Sequence, residues 1–228
     1  MFKNLSTDAF GLSGRQSEVI ELALSYKFKG IELDVREFQG QVQSGGLPHA
    51  RRLLDSARLN IGYFRLPFSV DADEATFRAG FAQLPELAGL AAQLGCTRSI
   101  ARIAPASEEK PYHENFEFQR RRLIELAGVL APLNIRLGLE YVATAEARSG
   151  RNFQFIHSLD ALVMLAGMTG QKNIGIVLDL FSMHVSGSSI DEARKLSTPQ
   201  VVAVFVSDAA GEPGSTAEGR LLPGETGV

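Results

Sequence analysis

Tryptophan is missing from the 228 residues, and cysteine occurs once, as Cys96. A lone cysteine closes no internal disulfide, so a disulfide-stapled secreted scaffold is excluded and a reducing compartment fits. Basic charge is not in excess, with 23 Lys and Arg against 26 Asp and Glu. Duplex-binding faces draw affinity from surplus cations, so no nucleic-acid partner is expected. No apolar run reaches the ~18–20 residues that span a bilayer. The opening MFKNLSTDAF has neither a basic stretch leading into an apolar core nor a lipidation signal. A hydrophobic fraction of 45% with 21% charged residues supplies enough apolar side chain for a packed core and excludes a disordered chain. The reading is a soluble, cytoplasmic domain with no membrane partner.

What is present is an alternation. Short apolar runs occupy Lys3–Ala9, Gly30–Val35, Asn60–Pro67, Thr97–Ile103, Ile135–Val142, Ile174–Leu180 and Val201–Val206. Several are apolar almost throughout, as strands of a parallel sheet covered by helices are. Between them lie amphipathic stretches. Ser13-Gly14-Arg15-Gln16 fits a capping box, Val19, Ile20, Ala23 and Leu24 form a stripe, and Gly30 is placed to stop that helix. Further helices are predicted within 47–59, over 75–94 with a kink or break at Pro85, over 115–132, over 158–168 and over 190–196. Arg120, Arg121 and Arg122 are expected on a solvated face of the third of these, beside Glu117 and Glu125.

Strand starts recur at roughly 27–39 residues, the length of βα units. A doubly wound sheet would place a glycine-rich phosphate loop after the first strand, whereas Phe10-Gly11-Leu12-Ser13-Gly14 is neither GxGxxG nor a P-loop. Polar residues stand instead toward the C-terminal ends of strands, at Asp8, Asp34, Arg65, Arg102, Glu140, Asp179 and Asp208. That end of a (β/α)₈ barrel carries its active site. The fold class is therefore α/β, a (β/α)₈ TIM barrel. Seven strands precede the end of the sequence, so the expectation is one domain over 1–228 that lacks the eighth strand and final helix.

Glu140 in LGLEY and Asp179 in IGIVLD end buried strands one unit apart. Ionised carboxylates on apolar strands need a cation or donors, so the pair could share a divalent ion or bond to Arg65 and Arg102. His184 is read in a loop after the Asp179 strand, Asp208 as a turn or substrate residue, and Arg220 as a partner for an anionic or hydroxyl-rich ligand. Glu32 and Asp34 share a strand face. His49, His113 and His157 carry little signal, and Cys96 beside a buried strand reads as inert.

In combination and order, LGLEY at 137–141, GIVLDLFSMHVSG at 175–187, VFVSDA at 204–209 and RLLPGETG at 220–227 resemble the xylose isomerase-like TIM barrels. That superfamily includes sugar (phosphate) isomerases and epimerases, hydroxypyruvate isomerase, inosose dehydratase and isomerase, and endonuclease IV. The resemblance implies a divalent metal (Mn, Mg, Co or Zn) held by Glu on strand five, Asp on strand six, His or Gln on strand seven and Glu on strand eight. Glu140 and Asp179 match the first two, the third place is Phe205, and the fourth would lie beyond Gly227. The family's His three residues after the strand-six Asp is Ser182 here, with His184 close by. Arg220 and Pro223-Gly224 match the substrate-contacting arginine and its turn.

The resemblance thus implies a metal-dependent sugar (phosphate) isomerase or epimerase acting by proton transfer next to a carbonyl. Glu140 would be catalytic, Glu140 and Asp179 metal ligands, and His184, Arg220, Arg65, Arg102 and Asp208 substrate contacts. The partner implied is a small sugar or polyol, with a homo-oligomer following from open strand edges. Two alternatives stand beside it: a non-catalytic barrel that binds a polyol or sugar acid, and an inosose dehydratase- or isomerase-like enzyme. Endonuclease IV-like repair fits least, because four His and no basic excess are available.

Overall fold

The computed structural model describes residues 2–7, 11, 14–210 and 219–225. It divides into two compact units, the first comprising Met1–Phe68, Glu74–Ser99 and Val129–Ile135 and the second Ser69–Asp73, Ile100–Gly128 and Arg136–Val228.

The first unit opens with β1 (Asn4–Leu5), α1 (Gln16–Ser25) and β2 (Gly30–Leu33). Val19, Ile20 and Ala23 bury one face of α1, as their spacing predicts. Ser13 of the expected capping box lies outside the described residues; the helix is instead capped from Arg15, whose N–H donates to Glu18 Oε2 at 2.7 Å. Gly30 does not stop this helix. The helix ends at Tyr26, Lys27 takes the turn at φ +58°, and Gly30 is the first residue of β2. Its glycine identity answers to crowding: a Cβ there would lie 2.3 Å from the Phe2 ring and 2.9 Å from the Asn60 carbonyl oxygen.

Next come α2 (Val35–Gly45), α3 (Leu47–Ala57), β3 (Asn60–Arg65) and α4 (Glu74–Gln93). Helix α2 is unforeseen from sequence, because its polar run VREFQGQVQSG buries only Val35 and Phe38. The expected break at Pro85 does not occur. Helix α4 continues through it, since Leu84, Leu87, Ala88 and Ala91 are fully buried on one side and hold the segment despite the missing N–H. Strand β2 pairs in parallel with β1 and with β3.

Strand β4 (Arg98–Ile103) is followed in the second unit by β5 (Ala106–Ser107), α5 (Tyr112–Leu130), β6 (Arg136–Tyr141), β7 (Phe153–Gln154), α6 (Leu159–Met168), β8 (Ile174–Asp179), α7 (Leu180–Ser186), α8 (Ile190–Arg194), β9 (Val201–Phe205), β10 (Asp208–Ala209) and β11 (Arg220–Leu221). Strands β6, β8 and β9 pair in parallel, Leu139 opposite Ile176 and Asp179 opposite Phe205. The arginine run on α5 is not solvated throughout. Arg122 is 2% exposed, donates to the carbonyls of Val70 and Ala72, and lies 4.0 Å over the Phe118 ring, because those loop carbonyls have no ladder partner to use. Arg120 shows the expected pairing, to Glu117 at 2.8 Å.

The main sheet is parallel, with strand order β1-β2-β3-β4-β6-β8-β9, so each main strand adds beside the previous one as in a (β/α) barrel. Two antiparallel pairs, β5 with β7 and β10 with β11, lie outside it. No eighth barrel strand is found among the described residues. No described helix is long and apolar enough to cross a membrane.

Candidate active site

The second unit places its polar side chains where β6 and β8 end. Strand β8 is buried along its whole length, and its last residue, Asp179, is 1% exposed. Asp179 is also the N-cap of α7, accepting from the Phe181 N–H at 3.3 Å. Ser182 Oγ donates to Asp179 Oδ2 at 2.8 Å and lies 3.2 Å from the carbonyl oxygen of Tyr141, tying the end of β6 to the end of β8. Arg220, at the start of β11, closes the arrangement. Its guanidinium meets Asp179 through both terminal nitrogens, at 3.0 and 2.5 Å, donates to Ser207 Oγ at 3.1 Å, and lies 4.5 Å from the centre of the Phe181 ring. A two-toothed pair of this kind, backed by an aromatic face, is the strong form of a carboxylate–guanidinium contact.

Glu140 is 4% exposed, one residue past the Leu139–Ile176 register pair. Its Oε2 lies 3.3 Å from Arg102 Nε, and the Arg102 side chain is half exposed. That contact is long for a charge-assisted bond, usually about 2.7–2.9 Å. Next to Glu140, the Tyr141 hydroxyl lies 3.1 Å from Ser186 Oγ, and burial pushes its proton affinity above the ordinary phenol range.

The remaining predicted residues scatter. His184 is half buried in the last turn of α7, not in a loop, because the Asp179 cap starts a helix at once. Asp208 does not end β9 but opens β10, where its Oδ2 accepts from the Gly224 N–H at 3.0 Å, a turn-clamping bond. Arg65 belongs to the first unit. There its Nε is 3.4 Å from Glu32 Oε1, while the Tyr63 hydroxyl is 2.9 Å from Glu32 Oε2 and 2.7 Å from Ser6 Oγ. Burial first, then the Glu32 charge, holds the Tyr63 proton well above its usual range.

A cavity of about 430 Å³ in this first unit has Glu32 and Arg65 in its wall, with Gln16, Asp34 and Arg36. Much of that wall is tied up locally. Asp34 caps α2 through the N–H groups of Arg36 and Glu37, and Gln16 Oε1 accepts from the Asp34 N–H. Asp34 thus serves the helix start rather than the end of its strand. Burial lifts the Cys96 thiol to about 11, which fits the inert role expected of it.

Ser207, Ser6 and Tyr63 were not singled out from sequence. Tyr63 alternates with Arg65 on β3, a period-two signal that was available. Ser207 carried none, because its partner Arg220 is 13 residues away and meets it through a hairpin.

A divalent ion of the kind the resemblance implies needs several donor atoms converging on one point. Among the described residues no group of three or more His, Cys, Asp and Glu side chains is placed to hold a metal. Phe205, which has no donor, is the register partner of Asp179, and both oxygens of Asp179 are engaged by Arg220. These residues do not fit a resident divalent ion.

The comparisons with known proteins agree with the strand order. The family model for the xylose isomerase-like TIM barrel matches residues 20–228. The chain belongs to that family. A xylose isomerase domain protein from Alicyclobacillus acidocaldarius subsp. acidocaldarius is 26% identical, with a TM-score of 0.85 over 93% of this chain and 76% of that one. The IOLI protein, solved with a bound zinc atom, is 17% identical, with a TM-score of 0.81 over 99% of this chain and 80% of its own. A D-psicose 3-epimerase solved in the presence of D-fructose is 15% identical, with a TM-score of 0.67 over 90% of this chain and 84% of its own. No curated protein matches significantly.

Proposed function

We propose that this chain is a sugar isomerase- or epimerase-type protein that acts on a small hydroxy-carbonyl compound by proton transfer next to the carbonyl. Membership of the xylose isomerase-like barrels supports the class, and the structurally similar D-psicose 3-epimerase and IOLI protein are of that kind of architecture. The observation that carries the reading is Glu140: a buried carboxylate at a strand's C-terminal end, beside an arginine whose side chain is half exposed. Such a group can take the proton from the hydroxyl-bearing carbon beside a carbonyl. Once the hydroxyl proton has moved across to the old carbonyl oxygen, the same group can return its proton to the old carbonyl carbon, which gives an isomer. An epimer forms when a second acid re-protonates the first carbon from the opposite face. Arg102, next to Glu140, would stabilise the oxygen that gains negative charge as the C–H bond breaks. Asp179, with both oxygens engaged by Arg220, Ser182 and the Phe181 N–H, would have a positioning role.

The test is solvent exchange. In D₂O, ¹H NMR of a panel of aldoses, ketoses and inososes should show deuterium entering the carbon next to the carbonyl of at least one of them. Glu140→Gln should stop it. A second reading, a polyol-binding barrel without turnover, is favoured by Phe205 at the place where the family has a donor. Saturation-transfer contacts to a polyol, with no exchange on any carbonyl compound, would select it.

A further inference from the structure

We propose that the Arg220 guanidinium is the built-in cation of this site, standing at Asp179 where the family resemblance implies a divalent ion, so that the protein needs no metal to bind an oxygen-rich ligand. The inference takes the location of the site from the proposed function, and its content from geometry alone. A carboxylate 1% exposed must have its charge balanced. Arg220 balances it through both terminal nitrogens, at 3.0 and 2.5 Å. A divalent ion on Asp179 would have to displace that guanidinium or share its oxygens, placing two cations in one buried spot. Ser182 and the Phe181 N–H take up further lone pairs of the same carboxylate.

The neighbouring strand offers no help to an ion, since Phe205 lies beside Asp179 in register. The guanidinium is held in turn by Ser207 Oγ at 3.1 Å and by the Phe181 face at 4.5 Å. Three of its five N–H groups thus go to Asp179 and Ser207, and among the described residues two are left that can donate to ligand oxygens. A vicinal diol or hydroxy-carbonyl compound presents two acceptors at a spacing that a planar guanidinium fork fits.

The probe is Mn²⁺ itself, followed by electron paramagnetic resonance and calorimetric titration on the whole chain. The wild type should show no saturable binding up to millimolar metal, and Mn²⁺ should leave its melting temperature unmoved. Arg220→Met, which frees Asp179, should gain weak binding. Arg220→Met with Phe205→His, which adds a nitrogen ligand, should bind more tightly than Arg220→Met alone, on the order of 100-fold, a scale on which even outer-shell partners alter metal affinity. Stoichiometric Mn²⁺ binding by the wild type overturns the proposal, whatever the variants do. So does a double variant that keeps its far-ultraviolet circular dichroism yet gains nothing. Deuterium exchange by the wild type should persist in EDTA, and exchange that requires added Mn²⁺ also overturns it. If no sugar exchanges under any condition, the proton-transfer reading falls while the Mn²⁺ comparison still decides the role of Arg220.

Discussion

The ends of β6 and β8 carry the same pair of residue types, a buried carboxylate and an arginine, and use them differently. At the end of β8, Asp179 is saturated: a two-toothed guanidinium, a serine hydroxyl and a helix N–H meet its two oxygens. At the end of β6, Glu140 has an arginine at 3.3 Å whose side chain is half in water. The difference follows from what holds each arginine. Arg220 starts a short strand and is braced by Ser207 and Phe181, its side chain 15% exposed, whereas the side chain of Arg102 on β4 is half exposed. A largely buried pair organises structure, and a carboxylate whose arginine reaches water lies closer to where a ligand can arrive.

The sharpest way to break the comparison is Asp179→Ala. It strips the partner from a guanidinium whose side chain is 15% exposed and removes the N-cap of α7, so a loss of about 3–5 kcal/mol in urea unfolding is expected. A loss below about 1 kcal/mol would show that the pair does not hold the second unit together. Glu140→Gln should do the reverse, sparing stability and cutting solvent exchange into substrate by about 10²–10⁴-fold, the range for general acid–base groups. Unchanged exchange by NMR would move the proton-transfer role elsewhere.

Ser182→Ala should cost about 1 kcal/mol by the same unfolding assay, since it deletes one hydrogen bond to a buried carboxylate that keeps its others. A neutral result would mean that Arg220 alone sets the position of Asp179. Arg102→Ala should cost well under about 1 kcal/mol, because a half-exposed ion pair is screened by water. A larger effect would make Glu140 as structural as Asp179.

The smallest effect concerns pH. Burial raises the proton affinity of Tyr141 beside Glu140, so the folded chain holds that proton more tightly than the unfolded one. The stabilisation is complete below the ordinary phenol value of 10.0 and is lost as pH climbs through the higher folded value. Urea midpoints should therefore be level around neutrality and fall above pH 10, and the fall should shrink in Tyr141→Phe. An identical fall in the variant would assign it to other groups.

Strand positions were readable because buried parallel strands must be apolar nearly throughout. The seven expected runs each contain one observed main-sheet strand, with Ala9 and Asp8 of the first lying outside the described residues. Helices with a two-sided pattern were equally readable. Helix α2 was not, since VREFQGQVQSG has only Val35 and Phe38 to bury. Helix α7 was not either, because LFSMHVS follows a strand without any break and its start is set by the Asp179 side chain. The arginine run misled for a related reason: three adjacent charges look solvated until a loop brings the Val70 and Ala72 carbonyls to one of them.

By itself the sequence determined the α/β alternation, the family and the positions of Glu140 and Asp179 at strand ends, because hydrophobic periodicity and short motifs are local properties of the chain. Which cation each carboxylate receives was decided only in three dimensions. Asp179 and Arg220 are 41 residues apart in sequence and Glu140 and Arg102 are 38 apart. Their pairing depends on the parallel register of the main strands and on the antiparallel pairing of β10 with β11. The physical reason is that a buried charge is balanced by whichever opposite charge the packing brings within reach, a fact that spacing along the chain does not encode.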